Sequence, residues 1–190
     1  MNIDKIKKID TKYFGKEIEY YKQIESTHIY AKQIAKKEEN NGKVIISEAQ
    51  TKGIGTKGRK WHTGINKNIA MTIILNQRIN AGEIEGLTLK IAQVVKSTIK
   101  EIYGYELKIK EPNDLLLNNK KICGILTEIR TIGEEISYLL ISMGFNANEE
   151  EFTQTTKEIG TSLKKEYGKT FEREEIISNI LINLEKEMEI

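Results

Sequence analysis

The chain is poor in residues that impose structure covalently or through a bound ion. Its 190 residues include one cysteine (Cys123), one proline (Pro112), one tryptophan (Trp61) and two histidines, His28 and His62. A single cysteine excludes an intrachain disulfide framework. Two histidines so far apart argue against a histidine-rich metal site, and no metal ligand set is legible. No apolar run approaches the roughly 20 residues of a membrane span, so no membrane partner is expected. The opening stretch MNIDKIKKID carries charges every few residues where a signal peptide has its apolar core. The expected compartment is therefore the cytoplasm. An excess of one charge is missing too: 30 basic residues face 28 acidic ones, for a net charge of +2. Nucleic-acid binders usually carry a clear basic excess or stripe, so none is expected here. Arginine is scarce, at positions 59, 78, 130 and 173, which draws attention to Arg59 in a glycine-rich loop.

What is present suggests one domain over residues 1–190. A chain this long can bury roughly 70% of its unfolded surface. Residues 17–24 read as a strand. Ser26 or Thr27 then caps a helix over about 28–38, with Ala31, Ile34 and Ala35 on one face. Residues 43–49 form a strand, a glycine-rich loop follows, and IAMTIIL (69–75) is a second strand. The spacing of Leu87, Ile91, Val94, Val95, Ile99 and Ile102 predicts a helix over 87–103. ELKIK after Gly104 reads as a strand stopped by Pro112. Residues 115–129 form a hairpin turning at Asn118-Asn119, and 135–145 a long strand. A polar stretch over 146–170 reads as a loop with short helical pieces. An amphipathic helix closes the chain, with Ile177, Ile180, Leu181, Leu184 and Met188 on one face. Three helices are too few for a doubly wound parallel sheet. The expected fold class is α/β, a mixed and largely antiparallel sheet with helices packed against it.

Gly53, Gly55 and Gly58 spell G-x-G-x-x-G. In a dinucleotide-binding fold that loop opens a helix, whereas here it runs on to another strand. A protein-kinase glycine loop does join two strands, but no matching catalytic motifs follow it. The remaining readings are a mobile surface loop and an anion-binding loop. Lys52, Lys57, Arg59 and Lys60 favour the latter, since glycine N–H groups beside cations can approach an anion closely. Trp61 beside them suits a ligand with phosphate and base, or else closes the loop as a core residue. Lys110 to Asp114, Lys121 with Gly124, and Gly144 to Asn146 lie at strand ends and look like the rim of one pocket, although each could be an ordinary turn.

Taken in order, these segments resemble the biotin–protein ligase family of the biotin/lipoate ligase superfamily over about residues 17–188. The family's E-S-T-N stands here as Glu25-Ser26-Thr27-His28, and its Q-x-x-G-R-G-R-x-G-R-x-W as Gln50 to Trp61. Its K-W-P-N-D is Lys110 to Asp114, its K-x-x-G-I-L-x-E is Lys121 to Glu128, and its G-x-N-x-N is Gly144 to Asn148. Thr161-Ser162-Leu163 matches the short T-S-L before the closing helix. The resemblance implies a class II synthetase-like fold. It also implies a two-step reaction with ATP, Mg2+ and biotin, giving biotinyl-AMP and then transfer to a lysine of a biotin carboxyl carrier domain. Lys121 and Arg59 would supply catalytic charge. Ser26, Thr27, Gln50, Gly53, Gly124 and Leu126 would hold biotin, and Gly55, Gly58, Arg59, Trp61, Asn113, Asp114 and Asn146 the nucleotide. The chain departs from the pattern at Ile54 and Thr56, where the family has arginines, and at Glu111, where it has tryptophan. No N-terminal winged helix and no C-terminal β-barrel is read in these residues, so no DNA partner is expected; a homodimer is left open. Two rival readings remain: a lipoate or octanoate ligase, and a catalytically weakened biotin-binding paralogue.

Overall fold

The computed structural model describes residues 1–76, 84–133, 135–154 and 156–188. Its seven strands are β1 (Ile18–Tyr21), β2 (Val44–Ser47), β3 (Ile69–Leu75), β4 (Lys108–Lys110), β5 (Asp114–Leu117), β6 (Lys120–Ile132) and β7 (Glu135–Phe145). The helices are α1 (Ile3–Lys7), α2 (Thr27–Ile34), α3 (Leu87–Tyr103), α4 (Leu163–Tyr167) and α5 (Arg173–Glu187). The strands form one sheet in the order β1-β2-β3-β7-β6-β5-β4. Only β1 and β2 pair in parallel, through the α2 crossover, and every other pair is antiparallel.

Alternation along the strands divides their side chains between two faces. From β2, β3 and β7, Val44, Ile46, Ile69, Met71, Ile73, Leu139, Ile141, Met143 and Phe145 enter the main core. The apolar stripes of α3 and α5 cover that face, and α1 packs on α5. The intervening residues Ile45, Ile74, Tyr138 and Leu140 meet Ala31 of α2 and its C-cap Ala35 on the opposite face. That second face is the important one for function. On it Gly144 pairs with Gly124 and Ala70, and Ser142 pairs with Leu126 and Thr72. Two of these positions lack a side chain, so the sheet there stays bare and a ligand or a loop can lie on it.

Several boundaries are tighter than the sequence reading. β1 occupies four residues of the expected eight, and α2 ends at Ile34, with a separate 3-10 turn over Glu38–Asn40. β4 loses Glu106 and Leu107 from the expected strand. The helix α1 was not anticipated. Five residues are too few for a periodic signal, and it is held by the Asn2 cap and by Ile6 in the core.

Candidate active site

Ser26 caps α2, its Oγ accepting from the Ile29 N–H, and so carries Thr27 and His28 to the edge of the bare face. The glycine loop then folds over that face as a small hairpin. The Trp61 N–H donates to Gly53 O at 2.9 Å and the Gly55 N–H to Arg59 O at 2.7 Å. Lys57 and Gly58 make the turn with φ of 58° and 70°. The three glycines therefore have different tasks. A Cβ on Gly53 would lie 2.3 Å from Trp61 O, so this residue permits close approach of the two arms. Gly58 supplies the positive φ of the turn. Gly55 faces the cleft, but its N–H is used inside the hairpin.

The hairpin lays Trp61 across the two sheet glycines. A Cβ on Gly144 would sit 2.1 Å from Trp61 Cε2, and one on Gly124 3.0 Å from Cζ3. The Lys121 ammonium stands 5.2 Å from the centre of the indole and pairs with Asp114 Oδ1 at 2.6 Å. Trp61 Nε1 is buried and has no hydrogen-bond partner among the described residues. An unpaired buried donor is costly, and a ligand's acceptor would satisfy it.

The result is a cleft open to solvent. Of the residues expected to form a site, Ser26, Thr27, Gln50, Gly55, Trp61, Asn113, Lys121, Gly124 and Leu126 line it. Gly53, Gly58, Arg59, Asp114 and Asn146 do not. Arg59 is exposed and folds back on its own loop, donating to Thr56 O at 3.2 Å and Thr56 Oγ1 at 2.8 Å. Asp114 reaches the cleft through Lys121. Asn146 is buried and donates to Thr161 O at 3.0 Å, binding the strand end to the segment before α4. Asn113 donates to Ile125 O at 3.1 Å, which fixes the turn between β4 and β5 beside Lys121.

Among the lining residues to which sequence reasoning gave no role are two polar ones, His28 and Ser142. The signal for Ser142 was its place two residues before Gly144 in a strand, hence on the same face. Glu128 binds His28 and Lys32. Burial pushes its carboxyl pKa up, but hydrogen bonds from Lys32 and His28 outweigh this and hold it below its ordinary value. Among the described residues no three His, Cys, Asp or Glu side chains group as a metal site, and no helix is long and apolar enough to cross a membrane.

Residues 20–146 match the model of the biotin/lipoate A/B protein ligase family. The chain belongs to this family. The bifunctional ligase/repressor BirA of Bacillus subtilis is 32% identical over 180 residues, 94% of this chain and 55% of that protein. BirA of Escherichia coli is 24% identical over 79% of the chain and 47% of its own length. The chain thus spans about half the length of these curated relatives. The biotin protein ligase from Aquifex aeolicus in complex with biotin and ATP superposes with a TM-score of 0.77 at 25% identity, covering 92% of this chain and 71% of that one. Where this member of the biotin/lipoate ligase family departs from the sequence pattern, two of the changes lie in the cleft itself, at Ile54 and Thr56. Glu111 is exposed between β4 and β5.

Proposed function

We propose that this chain is an ATP-dependent biotin–protein ligase that makes biotinyl-AMP and passes biotin to a lysine of a carrier domain. The observation that carries this reading is one cleft lined by two chemically distinct groups of residues. Ser26, Thr27 and Gln50 bring hydrogen-bonding groups to it, and Lys121 brings a cation beside Gly124. Biotin needs both: a ureido ring to be hydrogen-bonded and a carboxylate to be brought against a phosphate. The solved biotin protein ligase that holds biotin and ATP supports the same substrates.

In the first step the biotin carboxylate attacks the α-phosphate and pyrophosphate leaves. Two anions must meet, so a fixed cation at the point of meeting lowers the barrier. Lys121 serves there, exchanging its pairing with Asp114 for carboxylate and phosphate oxygens. Trp61 covers the sheet glycines and shields the mixed anhydride from water. In the second step the acceptor amine attacks the acyl carbon and AMP leaves. Mg2+ would screen the polyphosphate. It would enter with the nucleotide, held chiefly by phosphate oxygens and water. The site is tested by biotin-dependent exchange of pyrophosphate into ATP, followed by transfer to a biotin carboxyl carrier domain. Exchange driven by lipoate or octanoate but not by biotin would transfer the assignment to that acyl class. No exchange with any acid would indicate a ligand-binding paralogue, a reading that Ile54 and Thr56 favour.

A further inference from the structure

Behind the cleft runs a line of hydrogen bonds that the two chemical steps do not use. Lys32 Nζ pairs with Glu128 Oε1 at 2.6 Å, and Glu128 Oε2 lies 2.9 Å from His28 Nε2. His28 Nδ1 lies 2.8 Å from Ser142 Oγ, which lies 2.9 Å from Thr72 Oγ1. Thr72 reaches Thr27 Oγ1 at 3.0 Å, and Thr27 reaches Gln50 Oε1 at 3.2 Å. The Gln50 amide is held the right way round at both ends. Its Oε1 also accepts from the Thr27 N–H at 2.9 Å, and its Nε2 donates to Thr63 Oγ1 at 3.2 Å.

The protons in this line can be counted. From Glu128 to Gln50 there are five contacts, and both terminal groups, a carboxylate and an amide oxygen, can only accept. Each contact needs one hydrogen. The hydroxyls of Ser142, Thr72 and Thr27 supply one each. A neutral imidazole supplies one more and leaves one contact empty, two acceptors facing each other inside the protein. An imidazolium supplies two and fills every contact: one N–H goes to Glu128, and the four contacts from His28 to Gln50 all point toward Gln50. The Glu128 carboxylate stands 2.9 Å from Nε2 as the acceptor for the second ring N–H.

We propose that His28 works as an imidazolium that polarises this line, so that the inner end of the cleft accepts hydrogen bonds from a cyclic urea. The ligand in this inference rests on the ligase reading; the protonation of His28 does not. With the line filled, Ser142 and Thr27 each keep an unused lone pair and no unused O–H. Both line the cleft. A ureido ring presents N–H groups that need such acceptors, and its carbonyl oxygen can take the Ser26 hydroxyl. A dithiolane or an alkyl chain offers no N–H and leaves the acceptors unpaired, which a buried site penalises. His28 is thus a positioning and specificity-determining residue, at a place where the family pattern has asparagine. The charged and titratable groups around it are Glu128 on β6, facing the ring, and Lys32 on its own helix, with Arg130 and Tyr138 near Lys32. The β7 and β3 residues of the line, Ser142 and Thr72, present hydroxyls.

The test begins with the unmodified protein labelled with 15N-histidine. There are only two histidines, so His62→Gln assigns the signals. At about pH 7.5, where a free imidazole is mostly neutral, the His28 ring nitrogens should show imidazolium shifts. Calorimetry then follows biotin affinity from about pH 6 to about pH 9. Affinity should fall about tenfold or more as the ring loses its proton, since one charge-assisted bond is lost. ATP affinity should stay flat, and dethiobiotin, which keeps the urea, should follow biotin. His28→Asn should remove the pH step for biotin. A neutral ring overturns the inference and leaves the ligase reading intact. A charged ring with the same pH step in His28→Asn overturns the specificity role. A charged ring in a protein that binds no biotin at all overturns the ligase reading, and the urea assignment with it.

Discussion

The roles of single residues here follow from space more than from charge. Gly124 has room for no side chain: a Cβ would meet Trp61 at 3.0 Å and both Cε and Nζ of Lys121 at 3.1 Å. Gly124→Val should therefore abolish biotin binding in calorimetry while ATP binding remains measurable, because the added methyls enter the cleft between Trp61 and Lys121. Normal biotin binding by this variant would mean that the pocket is misplaced. Ile54 and Thr56 give the opposite case, where charge is missing from cleft walls. Thr56 is also the partner that holds Arg59 outward. The double change Ile54→Arg, Thr56→Arg places two cations in the cleft wall and removes one of the two hydrogen bonds that hold Arg59 to its loop. A charged hydrogen bond gained there corresponds to about tenfold or more in retention of the adenylate. Labelling of bystander lysines should drop, with transfer to a carrier domain preserved. Unchanged bystander labelling would show that Lys57 and Lys60 already supply the needed charge.

At the level of elements, the join that matters most is between α5 and the sheet. Glu48, just after β2, is buried and takes the Arg173 guanidinium, the Tyr20 hydroxyl and the Met1 amine. Burial alone would raise the Glu48 pKa, but Arg173, Tyr20 and the N-terminal ammonium together hold it below the ordinary value of 4.5. A depressed carboxyl pKa means stabilisation that is complete above the ordinary range and is lost as pH falls below it through the lowered value. Arg173→Met leaves Glu48 buried without its main partner and should cost about 3 kcal/mol in urea unfolding at neutral pH. Adding Glu48→Gln to it should recover part of that loss. A single variant as stable as the starting protein would show that the Met1 amine and Tyr20 suffice.

At the scale of the whole molecule, the legible features are those written in local pattern. IAMTIIL is β3 residue for residue, and the spacing from Leu87 to Ile102 is α3 from Leu87 to Tyr103. The hairpin turn falls at Asn118 and Asn119, with φ of 50° and 63°. Strand order is set by distant pairings, and no local signal reports that β7 lies between β3 and β6. A mixed sheet implies a parallel pair, but the sequence reading does not assign it to β1 and β2. The cleft was half legible. Motifs pointed to Lys121, Gly124 and Gln50, while Ser142 and His28 join them only once the register of β3, β6 and β7 is known. Arg59 was placed by its charge, and its hydrogen bonds to Thr56 turn it away.

The central claim is that Lys121 makes this cleft catalytic. Lys121 and Asp114 are both partly exposed, and Asp114 keeps the hydrogen bond from Asn113 Nδ2, so Lys121→Ala should leave the fold intact. The decisive measurement is biotin-dependent ATP–pyrophosphate exchange by the starting protein and by Lys121→Ala, with circular dichroism as the control for folding. The expected result is clear exchange by the starting protein, and in the variant a loss of at least about a hundredfold, the size expected when one preorganised electrostatic contact is removed from a transition state. Exchange by the variant within about twofold of the starting protein, less than one ordinary hydrogen bond contributes, would contradict the account.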